Sequence, residues 1–221
     1  MTNSETKRPE PMADFFDRRA DGYDEHMKEN VEAFDAFYGA VADAVPKTDE
    51  AIELLDLGVG TGLELPAVLA RVPNARLTGI DVSSEMLARL RVRLADRLDR
   101  VRLLQASFLE TEFGRGIYDV VLSTMALHHW SPETKLPLYR RIRAALRPDG
   151  QFINGDYILA DGDQDPLPTF PGTSSGASAE LVHVDLPLPI EVEERLLREA
   201  GFTSIRVAFK RARSAVLVAM R

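Results

Sequence analysis

The chain has 221 residues, no cysteine, and a formal charge of −8 from 27 Lys and Arg against 35 Asp and Glu. That length fits one domain with a substantial core. The acidic balance argues against a grip on phosphate backbones, and the missing cysteines exclude disulfides, thiolate metal sites and any cysteine nucleophile, including one for methylation at pyrimidine carbon 5.

No apolar run approaches the roughly 18 residues of a membrane span, and the polar N-terminus has no secretory pattern. A cytoplasmic protein without nucleic-acid or membrane partners is the expectation. Residues 1–11 are polar and carry two prolines, so a disordered tail is expected there. Apolar residues then recur at helical intervals over 12–30 (Phe15, Phe16, Tyr23, Met27) and 31–45 (Phe34, Phe37, Tyr38, Val41), predicting two helices that end before Pro46. Phe15 and Phe16 read as core packing, and Tyr23 either as packing or as part of a site.

Residues 52–57 form a short apolar run suited to a buried strand. It leads into Asp56-Leu57-Gly58-Val59-Gly60-Thr61-Gly62, and residues 63–72 then have helical spacing. Glycines at this strand-to-helix turn let a ligand approach the main chain and the helix N-terminus. A dinucleotide fingerprint, G-x-G-x-x-G, would need glycine at position 63, where Leu63 stands.

Strand and helix then alternate, which predicts a parallel sheet with right-handed crossovers. Strands are expected over 75–81, 100–107, 117–124 and 151–157, with helices over 83–98 and 132–146 between them. Six arginines from Arg89 to Arg102, interrupted by Asp96 and Asp99, read as a solvated helix face. Residues 160–187 lack periodicity and are rich in turn chemistry, which suggests a long loop or substrate lid. A helix over 190–200, capped by Gly201, precedes strands over 204–210 and 214–220, joined tightly enough to pair as an antiparallel hairpin.

The D-x-G-x-G-x-G motif after a buried strand, together with this order of elements from about Phe15 to Arg221, resembles the class I S-adenosylmethionine-dependent methyltransferases of small-molecule type. The resemblance implies an α/β fold: a Rossmann-like, seven-stranded, mostly parallel sheet with an antiparallel C-terminal hairpin, helices on both faces and an N-terminal helical arm. It implies S-adenosyl-L-methionine as cofactor, with S-adenosyl-L-homocysteine as product.

Residue by residue, the resemblance assigns the cofactor's methionine end to Asp56, Gly58, Val59, Gly60 and Gly62, and its ribose to Asp81. Val82, Met86, Ser107 and Phe108 would meet the adenine, although Ser107 stands where an aspartate is common. Tyr23 of the arm would cover the cofactor. The fourth strand ends in Ser123-Thr124-Met125-Ala126-Leu127-His128-His129-Trp130, and in the family this end faces the reactive methyl, so Ser123 joins the cofactor set.

The Asn/Asp-Pro-Pro-aromatic signature of amino-group methylation is absent, which favours a small-molecule acceptor. His128 and His129 are the candidate proton acceptors, with His128 slightly ahead. Side chains of adjacent histidines rarely converge on one ion, and the spacing places no third ligand nearby, so no metal is expected. Asp156, Tyr157, His183 and Asp185 should share the rim of the site. Two other readings remain open: transfer of a carboxymethyl group from a modified cofactor, and a cofactor-binding module with no acceptor. The apolar N-terminal helices could cover the cofactor or form a homodimer contact.

Overall fold

In the computed structural model, which describes residues 11–160, 183 and 185–221, seven strands form one sheet in the order β3-β2-β1-β4-β5-β7-β6. The strands are β1 (Glu53–Leu57), β2 (Arg76–Asp81), β3 (Val101–Gln105), β4 (Tyr118–Thr124), β5 (Leu146–Tyr157), β6 (Ser204–Arg211) and β7 (Ser214–Met220). β1 pairs in parallel with both β2 and β4, and β4 with β5. β7 runs antiparallel between β5 and β6.

The central strands are apolar almost without break because helices cover both faces. Side chains of successive strand residues point to opposite faces, so neighbours divide between two cores. Leu54 packs with Phe37, Val41, Leu65, Val68 and Leu90, from α3 (Phe34–Ala44), α4 (Leu65–Arg71) and α5 (Ser84–Arg93). Leu55 and Leu57 pack on the other side with Leu138, Tyr139, Ile142 and Leu197, from α6 (Pro132–Ala145) and α7 (Ile190–Glu199). Within this second layer Lys135 of α6 is fully buried and bonds the Glu193 carboxylate of α7, which also accepts the Tyr139 hydroxyl at 2.6 Å.

Strand order reverses between β1 and β4, with β2 and β3 on one side and β5 on the other. A crevice opens at the carboxyl ends of strands at such a point. The first expected helix is instead broken into α1 (Met12–Asp17), a 3-10 turn at Ala20–Gly22 and α2 (Tyr23–Asn30). Gly22, at φ −113° and ψ 11°, leaves helical geometry and lets the arm bend over that crevice. Of the tail over 1–11 expected to be disordered, residues 1–10 lie outside the described residues, as does nearly all of the 160–187 loop, while Pro11 is ordered and accepts the Phe15 N–H at 2.9 Å as α1 begins. No helix among the described residues is long and apolar enough to cross a membrane.

Candidate active site

The glycine turn after β1 is tied down by its neighbour strand. The N–H groups of Gly58 and Val59 both donate to the Ile80 carbonyl, at 2.9 and 3.1 Å. All three glycines have positive φ, from 51° to 72°, a region costly for other residues. Their surroundings differ. A Cβ on Gly58 would lie 2.5 Å from Ala126 Cβ, so this glycine admits the chain leaving β4. A Cβ on Gly62 would meet Leu90 at 2.6 Å and Leu65 at 2.8 Å, so this one permits helix packing. Gly60 alone of the three has open space around it, and Gly58 and Gly60 line the cleft.

Asp81, at the end of β2, also lines the cleft. Its carboxylate accepts the Gly60 N–H at 2.8 Å and the Ser83 N–H at 2.9 Å. Burial pushes its pKa up to about 6, against the pull of these donors and of the Val82 N–H, and the two oxygens together keep room for a further donor.

Asp56 and Glu64 are buried, and neither oxygen of Asp56 nor Oε1 of Glu64 has a hydrogen-bond partner outside the pair. Burial lifts Asp56 to about 7 and Glu64 well above the usual carboxylate range. The two carboxyls lie close enough to share a proton, which Glu64 holds and offers to Asp56, so the pair carries at most one negative charge comfortably.

The far wall is formed by Val82, Met86, Ser107 and Phe108, joined by Ala126 and Trp130. The Phe108 and Trp130 rings meet edge to face at 6.1 Å. Ser107 Oγ accepts the Leu109 N–H at 3.2 Å, which caps the turn after β3.

The arm closes the cleft with Met12, Phe16 and Tyr23. Phe16 is thus a wall of the site and not only core packing. Asp17 accepts the Ser83 hydroxyl at 2.6 Å, and Asp24 accepts the Thr61 hydroxyl at 2.6 Å while pairing with Arg93. Arg89 pairs with Asp21. Two of the arginines read as a solvated face therefore hold the arm, a pairing across more than sixty residues that spacing alone does not reveal.

At the end of β4, Met125 adopts φ 52°, unusual for a residue with a side chain, and donates its N–H to Gly155 O at 2.8 Å. This bend starts the 3-10 turn Leu127–His129. His128 Nδ1 lies 2.5 Å from Asp156 Oδ1, and Asp156 Oδ2 accepts the Leu127 N–H at 3.0 Å. Burial opposes charge on His128, but the Asp156 carboxylate overrides it and holds the pKa up at about 9.

Residues 185–189 return beside the end of β5, where Leu186 N–H donates to His128 O at 2.6 Å. Asp185 Oδ1 then sits 3.1 Å from His129 Nδ1 and 3.5 Å from His128 Nε2. Hydrogen bonds from both imidazoles hold the Asp185 carboxyl far below the usual range. The fold therefore brings beside the histidine pair a carboxylate that the spacing did not place there.

A second pocket of about 500 Å³ adjoins the cleft. Phe15, Arg19, His128, Tyr157, His183 and Asp185 are among its walls. Phe16, Tyr23, Met125 and His129 line both cavities.

Comparison with known proteins agrees with this geometry. The methyltransferase domain family matches residues 54–150. The chain is similar to erythromycin 3''-O-methyltransferase of Saccharopolyspora erythraea, 29% identical over 163 residues, covering 72% of this chain and 53% of that protein. The chain thus spans about half the length of that relative. It is also 25% identical over 181 residues to carboxy-S-adenosyl-L-methionine synthase of Wolinella succinogenes, covering 75% of each. Among solved structures, the apo form of the S-adenosylmethionine-dependent methyltransferase SibL aligns with a TM-score of 0.65 at 25% identity, covering 93% of this chain and 61% of that one. Over residues 54–150 the chain is thus similar to the methyltransferase domain family.

The residues present suit this family's cofactor. An open glycine and a carboxylate at the cleft wall would meet the main-chain end and the ribose hydroxyls respectively. Of the residues assigned from sequence, Tyr23, Gly58, Gly60, Asp81, Val82, Met86, Ser107, Phe108 and His129 line the cleft, and His128 lines the adjoining pocket. Asp56, Val59 and Gly62 sit behind the loop. Ser123 is fully buried and donates to Leu57 O at 2.9 Å, so it ties β4 to β1 instead of facing the cofactor.

Proposed function

We propose that this methyltransferase moves the methyl group of S-adenosylmethionine to a small-molecule acceptor held in the 500 Å³ pocket. The observation that carries the reading is the common wall: Phe16, Tyr23, Met125 and His129 border both the cofactor cleft and the second pocket. A group crossing between two bound molecules must pass such a wall. The bound cofactor supplies an electrophilic methyl on a sulfonium, and the bond broken leaves its electron pair on the sulfur.

The protein's contribution is alignment and exclusion of water. Aromatic rings of the arm close the pocket over the acceptor. His129, with Asp185 at 3.1 Å, stands where an acceptor hydroxyl would shed its proton, and it displaces His128 as the favoured proton acceptor. His128 is committed to Asp156 through Nδ1 and fixes the turn.

Carboxymethyl transfer would need a cation close to the added carboxylate. Among the described residues lining the cleft there is no lysine or arginine, and Arg19 stands in the second pocket, so methyl transfer is the better reading. Incubation with methyl-deuterated S-adenosylmethionine and a panel of hydroxylated and amine-bearing small molecules tests it by mass spectrometry. Acceptor-dependent S-adenosylhomocysteine release, reduced in Phe16→Ala, is expected. Binding of the cofactor with no labelled product from any acceptor would favour the non-catalytic module.

A further inference from the structure

We propose that His128, His129 and Asp185 bind one divalent transition-metal ion at the floor of the second pocket. Each offers one ligand atom, and these atoms lie within 4.8 Å of one another. Asp185 Oδ1 is 3.5 Å from His128 Nε2 and 3.1 Å from His129 Nδ1. Ligands about 2.0–2.1 Å from a tetrahedral ion stand about 3.3–3.5 Å from one another, so the two edges to Asp185 suit a shared ion, and the edge between the imidazoles, within 4.8 Å, would close to that spacing on binding.

Adjacent histidines converge here for a structural reason. The 3-10 turn sets their rings 4.0 Å apart between centroids, tilted by 50°. The 2.6 Å bond from Leu186 N–H to His128 O fixes the chain that carries Asp185 against the same turn. His128 also has the outer support of a metal ligand. With Nδ1–H donated to Asp156 at 2.5 Å, Nε2 faces Asp185, and a metal ion would take the place of the proton that Nε2 otherwise shares with that carboxylate.

The local charge points the same way. Asp156 and Asp185 bring two carboxylates to one pair of imidazoles, and a dication balances them. His183, with Nε2 3.6 Å from Asp185 Oδ1, His26 and Arg19 are the other cationic or basic groups on this pocket. Two imidazoles and one carboxylate suit zinc, cobalt, nickel or ferrous iron better than magnesium or calcium, which take oxygen ligands. Three protein ligands leave a fourth position toward the 500 Å³ pocket, open to water or to an acceptor oxygen. An ion there would lower the pKa of a bound hydroxyl, its proton passing to solvent, so in the loaded protein His129 would act as a ligand and its proton-accepting role would belong to the metal-free protein. The metal site goes beyond methyl transfer and stands whatever the acceptor is.

The test uses untagged full-length protein, stripped with a chelator and titrated with Zn²⁺ and Co²⁺ without cofactor. One equivalent per chain is expected, with visible cobalt absorption of tetrahedral or five-coordinate strength. Asp185→Asn, a substitution at a side chain 62% exposed and therefore compatible with folding, should weaken binding at least about tenfold. His129→Gln should do the same, Asp156→Asn should weaken it by about tenfold or more, and His26→Gln should leave it unchanged. Absence of saturable one-to-one binding, or equal affinity in wild type and Asp185→Asn, would overturn the site. Cofactor binding, measured separately by calorimetry, keeps a failure here distinct from a failure of the methyl-transfer reading.

Discussion

Asp24 at the start of α2 and Arg93 at the end of α5 form an ion pair in which each side chain is only about a quarter exposed. The same arginine donates to the Thr61 carbonyl at 2.5 Å, and Asp24 accepts the Thr61 hydroxyl, so arm, glycine loop and α5 meet at one point. The arm covers the cleft because this junction holds it there.

Loss of the junction should therefore weaken cofactor binding more than it weakens the fold. Asp24→Ala is expected to raise the dissociation constant for S-adenosylhomocysteine by about threefold to tenfold, equivalent to about 0.7–1.4 kcal/mol for a partly screened, charge-assisted contact. Calorimetry at low and high salt checks this, and wild type should show a steeper salt dependence than the variant.

Asp56 makes an opposite trade between stability and binding. Its pKa is raised by burial from an ordinary 3.8 to about 7, so the folded state holds its proton more tightly than the unfolded state. Stability of the free protein should then fall as pH rises from about 4 to 7 and level off above that. Asp56→Asn should flatten this slope and stabilise the free protein at pH 8 by about 1–3 kcal/mol, because it removes a buried charge that stands beside the Glu64 carboxyl. The same variant should bind the cofactor less tightly. Urea titrations across this pH range, with and without S-adenosylhomocysteine, measure both effects.

The buried pair between α6 and α7 should behave differently. Glu193 accepts from both Lys135 and the Tyr139 hydroxyl. Glu193→Gln leaves the Lys135 ammonium without its counter-charge in a fully buried place and should destabilise by about 3–5 kcal/mol. Lys135→Met together with Glu193→Leu should recover much of that loss, since both charges leave together. Chemical denaturation of the single and double variants reads the difference.

The sequence revealed the sheet, the hairpin and the cofactor loop because each is written in neighbouring residues. Gly58, Gly60 and Gly62 mark a turn by their own backbone freedom, and Asp81 ends an apolar run. Ser123 was misplaced because the last residues of a strand alternate between faces, and the face is set by the partner strand to which Ser123 bonds. Phe16, Arg89 and Arg93 looked like ordinary core and surface, since their partners lie in segments far away in the chain. Asp185 was visible only as a rim residue, and its place beside both imidazoles depends on the Leu186 to His128 backbone bond. Met125 carried no signal, because its left-handed backbone is imposed by the bend after β4.

The central claim is that the cleft formed by Gly58, Gly60 and Asp81 holds S-adenosylmethionine. Calorimetric titration of wild type and Asp81→Ala with S-adenosylmethionine, S-adenosylhomocysteine and NAD tests it most directly. The account predicts micromolar binding of both sulfur ligands to wild type, a loss of about tenfold or more in Asp81→Ala, and no binding of NAD. Binding of NAD without either sulfur ligand, or sulfur-ligand affinity unchanged in Asp81→Ala, would contradict it.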